Sequence, residues 1–112
     1  MELARFLVDT LEDKKAEDIV LLDLRGQCSF TDYFVICTGT SERQLDALAD
    51  AVETAARKQF RLKSPRRHGQ PVGGWLLIDF VDVIVHVFSP QQREHYQLEE
   101  FWRAGKVIVR IQ

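Results

Sequence analysis

The sequence predicts a single α/β domain, a mixed β-sheet with helices packed mainly on one face. Three observations lead there. A chain of 112 residues is long enough for one hydrophobic core and too short for two ordinary domains, so residues 1–112 form one unit. An apolar share of 46% with a charged share of 29% is the balance of a folded globular chain, not of a disordered or membrane-spanning one. The hydrophobic pattern alternates along the chain between helical periodicity and short apolar runs of strand length.

Leu3, Leu7 and Leu11, with Ala4 and Val8 beside them, make one stripe over residues 2–15, and the opposite face is charged, so this segment is a helix lying on the core. Residues 19–24 (IVLLDL) and Tyr33–Thr38 (YFVICT) are apolar runs rich in strand formers, separated by a loop at residues 26–29. Ser41 with Gln44 three positions on is a capping box, and Leu45, Leu48, Ala49, Val52, Ala56 and Phe60 keep helical spacing for about five turns. Ser64-Pro65 and residues 69–74, with Pro71 inside, break regular structure and predict the longest loop region. Trp75–Asp79 and Val83–Phe88 are joined tightly around Val81-Asp82, hence a hairpin. Ser89, Pro90 and Gln92 supply an N-cap, an N1 proline and an N3 glutamine for a short helix, followed by a second helical turn carrying Leu98, Phe101 and Trp102. Residues 107–111 alternate like a strand, and a short helix or coil fits them almost as well. A right-handed crossover through the long helix would set its two flanking strands parallel.

No run of about 18 apolar residues exists, and the N-terminus lacks the basic and apolar regions of a secretory signal, so no membrane contact is expected and the chain is expected in the cytoplasm. Cys28 and Cys37 form no CxxC pair and have no companion pair, which points to free thiols and to neither a zinc site nor a disulfide framework; no metal or cofactor is expected. A net charge of −2 gives no global attraction to nucleic acid. The charge is uneven, however: Arg57, Lys58, Arg61, Lys63, Arg66 and Arg67 run without any Asp or Glu, and His68 follows. Such a stretch is ordinarily a solvated helix end and loop, and it can also reach phosphate; Arg61, Lys63, Arg66 and Arg67 are the residues placed for RNA contact.

The hairpin carries the most informative pattern. With an even loop, Asp79 lies opposite Ile84, Leu77 opposite His86 and Trp75 opposite Phe88, and all six share one face. Leu76, Ile78, Phe80, Val83, Val85 and Val87 then form a purely apolar second face that belongs against the helices. An odd loop would scramble both sets. The first set mixes aromatics, aliphatics, a carboxylate and an imidazole, which suits the centre of an interface and marks that side as the outer one. With Tyr96 and Trp102 it makes the expected partner-binding surface. The competing expectation is that Trp75 and Phe88 pack beneath the C-terminal helix and Trp102. A lone histidine such as His86 is more often hydrogen-bonded structure than a catalyst.

Enzymatic readings are weak. Cys37 sits mid-strand with no base paired to it by sequence, and Gly39-Thr40-Ser41 lacks the rest of a phosphate-cradling motif, so helix capping explains it. Gly73-Gly74 followed by Asp79 and Asp82 gives a metal-dependent nucleotidyl-transfer enzyme as the alternative. Those carboxylates stand three apart across a turn, so convergence on metal ions is not built in, and turn formation explains Asp82 more cheaply.

Five stretches in order, residues 11–20, Thr31-Asp32-Tyr33-Phe34-Val35-Ile36, Gly39 to Gln44, Gly74-Trp75 through Phe88, and Tyr96-x-Leu98-Glu99-x-Phe101-Trp102, closely resemble the ribosomal silencing factor (RsfS, or Iojap-like) family. The likeness runs from the first helix to Trp102. It implies a nucleotidyltransferase-like topology without that fold's active-site carboxylates, which accounts for the echo at Gly73-Gly74 and Asp79. It also implies docking on the large ribosomal subunit, chiefly on protein uL14, with steric hindrance of small-subunit joining and repression of translation. Organellar relatives act in large-subunit assembly, and the lack of a transit peptide favours the bacterial role. Phe80 stands where the family usually has Tyr, and Phe101 where Leu is common. A dimer formed through the same sheet face is the remaining expectation for this surface.

Overall fold

In a computed structural model, residues 1–62, 65–98 and 106–111 are described. Helix α1 (Glu2–Asp13) leads to strands β1 (Glu17–Asp23) and β2 (Tyr33–Thr38), then to α2 (Glu42–Phe60). A short β3 (Arg66–His68) and a 3-10 turn at Pro71–Gly73 precede the hairpin β4 (Trp75–Asp79) and β5 (Val83–Phe88), followed by α3 (Pro90–Tyr96) and β6 (Lys106–Ile111). The six strands form one mixed sheet in the order β3-β4-β5-β2-β1-β6. Among the described residues, β2 and β5 run parallel and the other neighbouring pairs are antiparallel.

The crossover expectation needs correction. Strand β2 is parallel to β5, the second strand of the hairpin, whereas β4, the strand expected as its parallel partner, runs antiparallel to β5 and lies one place further out. Burial supplies the reason. All residues of β2 and β5 are buried, so these apolar runs take the centre, while β4 alternates between half-buried and buried and suits a flank.

The segment expected to be loop contains β3, whose Arg66, Arg67 and His68 pair with Asp79, Ile78 and Leu77. Three polar residues at a sheet edge leave no hydrophobic period to read. What holds them is Arg67, which reaches back to helix α2 and bonds Asp46, Asp50 and Glu53. The C-terminal residues, open between strand, helix and coil in sequence, pair with β1 as an edge strand, Ile111 opposite Ile19.

Helices α1 and α2 cover one face. Ala4, Leu7, Val8 and Leu11 of α1 and Leu45, Leu48, Ala49, Val52 and Ala56 of α2 close on the sheet residues Leu21, Val35, Leu76, Ile78, Val85 and Val87. The predicted capping of α2 is present: Ser41 Oγ accepts from the Gln44 amide at 3.1 Å, and Gln44 Oε1 accepts from the Thr40 amide at 2.7 Å. The other face of the sheet holds a second apolar cluster, and it carries the candidate site.

Candidate docking surface

The hairpin has the even register. Trp75 pairs with Phe88, Leu77 with His86 and Asp79 with Ile84, so the two side-chain sets fall on opposite faces as the alternation required. Leu76, Ile78, Val83, Val85 and Val87 are buried against the helices, and Phe80 packs at their margin.

The opposite face is less open than its mixed composition suggested. Phe88 is fully buried, His86 is 3% exposed and Ile84 is 6% exposed, whereas Trp75, Leu77 and Asp79 are half-buried. The expectation that all six lie on the outside is therefore corrected: the aliphatics of β1 and β2 (Val20, Leu22, Ile36) and Phe34 extend this face into a small core, and Cys28 and Leu98 pack on it. Three of the predicted residues shape the surface from beneath, and three reach it.

An aromatic stack gives the surface its rigidity. Trp75 lies on Phe88 with ring centroids 5.1 Å apart, Tyr96 leans on Trp75 at 4.5 Å, and His86 is parallel to Phe88 at 5.9 Å. Tyr96, at the end of α3, remains 46% exposed. Helix α3 holds it there because Ser89 Oγ caps the Gln92 amide at 3.3 Å and Pro90 sits in the first turn. Gly74, with φ of +75°, lets the chain enter β4 close under this cap; a Cβ there would stand 2.6 Å from Ser89 Oγ. Trp102 lies outside the described residues.

Trp75 Nε1 donates to His86 Nδ1 at 3.1 Å, so the neutral imidazole carries its proton on Nε2. Among the described residues that Nε2 atom is buried with no hydrogen-bond partner. Burial pushes the His86 pKa down from 6.5 to about 3. A neutral histidine held this way anchors the indole ring and stays neutral near pH 7. Cys37 is equally sequestered: it is fully buried, with burial pushing its thiol up to about 12.

Of the two aspartates of the nucleotidyl-transfer alternative, Asp79 holds the hairpin turn with its carboxylate, and Asp82 ties the turn to the start of β2 through its backbone. Asp79 Oδ1 accepts from the Val81 amide at 2.7 Å, and the Asp82 carbonyl accepts from the amides of Asp32 and Tyr33 at 3.0 and 3.1 Å. Among the described residues, no three His, Cys, Asp or Glu side chains come together as a metal site.

The basic stretch divides. Arg61, the left-handed C-cap of α2, and Arg66 are exposed. Arg67 is drawn onto α2, with ion pairs to Asp46 at 3.1 Å, Asp50 at 2.5 Å and Glu53 at 3.0 Å, so its reading as a phosphate contact is corrected: three carboxylates already occupy it. Lys63 lies outside the described residues. Sequence reasoning missed Phe30 and Val81, 59% and 71% exposed, at the hairpin-tip end of the sheet. The available signals were one aromatic in an otherwise polar loop and a β-branched residue in a turn, where Val81 takes φ of +76°.

Comparisons with known proteins agree over nearly the whole chain. The family model described as "Ribosomal silencing factor during starvation" matches residues 1–112. A ribosomal silencing factor RsfS from Haemophilus influenzae is 41% identical over 102 residues, covering 91% of this chain and 99% of that one. The mouse protein named "Mitochondrial assembly of ribosomal large subunit protein 1" is 33% identical over 86% of this chain and 43% of its own length. A crystal structure of a Chromobacterium violaceum protein superposes with a TM-score of 0.85 at 33% identity, covering 96% of this chain and 91% of that chain. Among the described residues, no helix is long and apolar enough to cross a membrane.

Proposed function

Because the chain belongs to the ribosomal silencing factor family, we propose that it binds the large ribosomal subunit, chiefly through protein uL14, and hinders joining of the small subunit by occupying the surface they share. Translation is repressed by exclusion, a mechanism that needs no catalytic group. The observation that carries this reading is the half-buried Trp75, locked from behind by His86 and Phe88 and flanked by the exposed Tyr96. A rigid aromatic anchor beside an aliphatic (Leu77), with little side-chain entropy left to lose on binding, is the usual centre of a protein–protein hot spot. Exposed cations at Arg61 and Arg66 add an RNA-facing rim, as phosphate contacts on a large subunit require.

Co-sedimentation with purified large subunits is the first test. The protein is expected to pellet with large subunits, and Trp75→Ala is expected to weaken that binding. Equal binding by a folded Trp75→Ala variant would move the interface elsewhere. The name of the mouse relative favours a second role, in maturation of the large subunit, and the same surface would serve it.

A further inference from the structure

We infer that the groove at the hairpin-tip end of the sheet seats a single unpaired guanine of an RNA strand; this rests on the ribosomal reading above and specifies the RNA contact within it. The groove, about 440 Å³, has apolar walls that include Phe30, Leu62, Pro65 and Phe80, with Arg66 and Asp79 also lining it. A volume of that order, largely apolar with a few convergent polar groups, is the usual form of a small-ligand site.

Arg66 and Asp79 are direct partners in the β3–β4 register, so both point to the same face. Opposite charges so placed ordinarily pair, yet among the ion pairs of the described residues these two do not join. Asp79 uses Oδ1 to hold the Val81 amide. An apolar slot therefore presents a guanidinium and a carboxylate side by side, each with capacity left for a ligand.

Guanine is the nucleobase that fits this arrangement. Its pairing edge carries two adjacent donors, N1–H and the 2-amino group, which a carboxylate can accept together. Adenine and cytosine place a ring acceptor beside their amino group, which a carboxylate repels, and uracil has one donor between two acceptors. Arg66 suits O6 and N7 of the same base or the adjoining phosphate. Phe30, 59% exposed and tilted against Phe34 with ring centroids 6.3 Å apart, adds an aromatic ring to the groove wall, and aromatic rings are the usual way proteins hold bases splayed out of RNA loops. Exposed Arg61 at the end of α2 extends the positive rim along which a strand would run.

The test measures binding of short single-stranded oligouridine probes carrying one guanosine, adenosine or inosine, by fluorescence anisotropy at fixed salt. The guanosine strand is expected to bind tenfold or more tighter than the adenosine strand, with inosine, lacking the 2-amino group, in between. Asp79→Asn keeps an oxygen for the Val81 amide and is expected to erase the preference, while Phe30→Ala weakens all strands together. Equal affinities for guanosine and adenosine strands, or a preference that survives Asp79→Asn, overturn the inference. Co-sedimentation of wild type with large subunits is run in parallel, so that failure of the ribosomal reading is seen separately. Loss of large-subunit affinity in Phe30→Ala without any guanine preference assigns the groove to a protein partner and also overturns it.

Discussion

Trp75 and His86, opposite diagonal neighbours on the β4–β5 hairpin, are joined by an indole N–H to Nδ1 hydrogen bond of 3.1 Å. The bond occupies the lone pair that protonation of the imidazole would take, and it fixes the ring that leads the proposed docking surface. Stability and the proposed docking are thereby linked at one pair of residues.

The first consequence is a pH dependence with a definite sign. His86 titrates near 6.5 when unfolded and near 3 when folded, so between those values the unfolded chain binds more protons. Its contribution to stability is complete above pH 6.5 and is lost as pH falls toward 3, with a limiting slope of about 1.4 kcal/mol per pH unit. Denaturant unfolding of wild type from pH 7 to pH 4 is expected to show this decline, and His86→Leu to flatten it. Equal slopes for both proteins would mean that His86 is not buried neutral.

Trp75 allows packing and recognition to be separated. Trp75→Phe keeps a ring on Phe88 and leaves His86 Nδ1 without its donor, which is expected to cost about 1–2 kcal/mol of folding stability. Trp75→Ala is expected to weaken large-subunit binding by about 2 kcal/mol or more, measured on protein shown to be folded by circular dichroism.

The arginines of β3 should part company. Arg67→Ala removes the clamp on Asp46, Asp50 and Glu53 and is expected to cost about 1 kcal/mol, with little change in the salt dependence of ribosome binding. Arg66→Gln is expected to leave stability within about 0.5 kcal/mol and to lower the salt slope. Thermal melts and binding titrations at several salt concentrations read both quantities. A salt slope reduced by Arg67→Ala and untouched by Arg66→Gln would reverse the assignment.

Gly69 is the least replaceable residue on the approach to the hairpin. It has φ of +96°, and a Cβ there would meet the Trp75 carbonyl oxygen at 2.3 Å. Gly69→Ala is expected to destabilise the fold by about 2 kcal/mol or more, since backbone must move to admit it. A chemical denaturation midpoint equal to wild type would show that the β3–β4 connection can yield.

How much of this was legible in sequence follows from which residues signal through periodicity. The stripe of α1, the Ser41 cap and spacing of α2, and the alternation that set Leu76, Ile78, Val85 and Val87 against the helices are local patterns, and each is in place. Strand β3 was hidden because Arg66, Arg67 and His68 have no apolar period, and their pairing with β4 is reinforced by the bonds of Arg67 to carboxylates on α2. The hairpin face was read correctly in register and too generously in exposure. Composition distinguished it from the helix-facing side, but the covering of Phe88 and His86 by neighbours distant in sequence is tertiary information. Phe30 and Val81 escaped because a single apolar residue in a loop has no pattern to belong to.

The central claim is exclusion at a shared surface, and subunit association followed by light scattering tests it most directly. Large subunits preincubated with the protein are expected to join small subunits less as protein concentration rises, with recovery on adding excess small subunits, because two partners compete for one patch by mass action. Trp75→Ala should shift the inhibition curve to higher concentration. Unchanged association at saturating protein, with the protein demonstrably bound to the large subunit, would contradict the account.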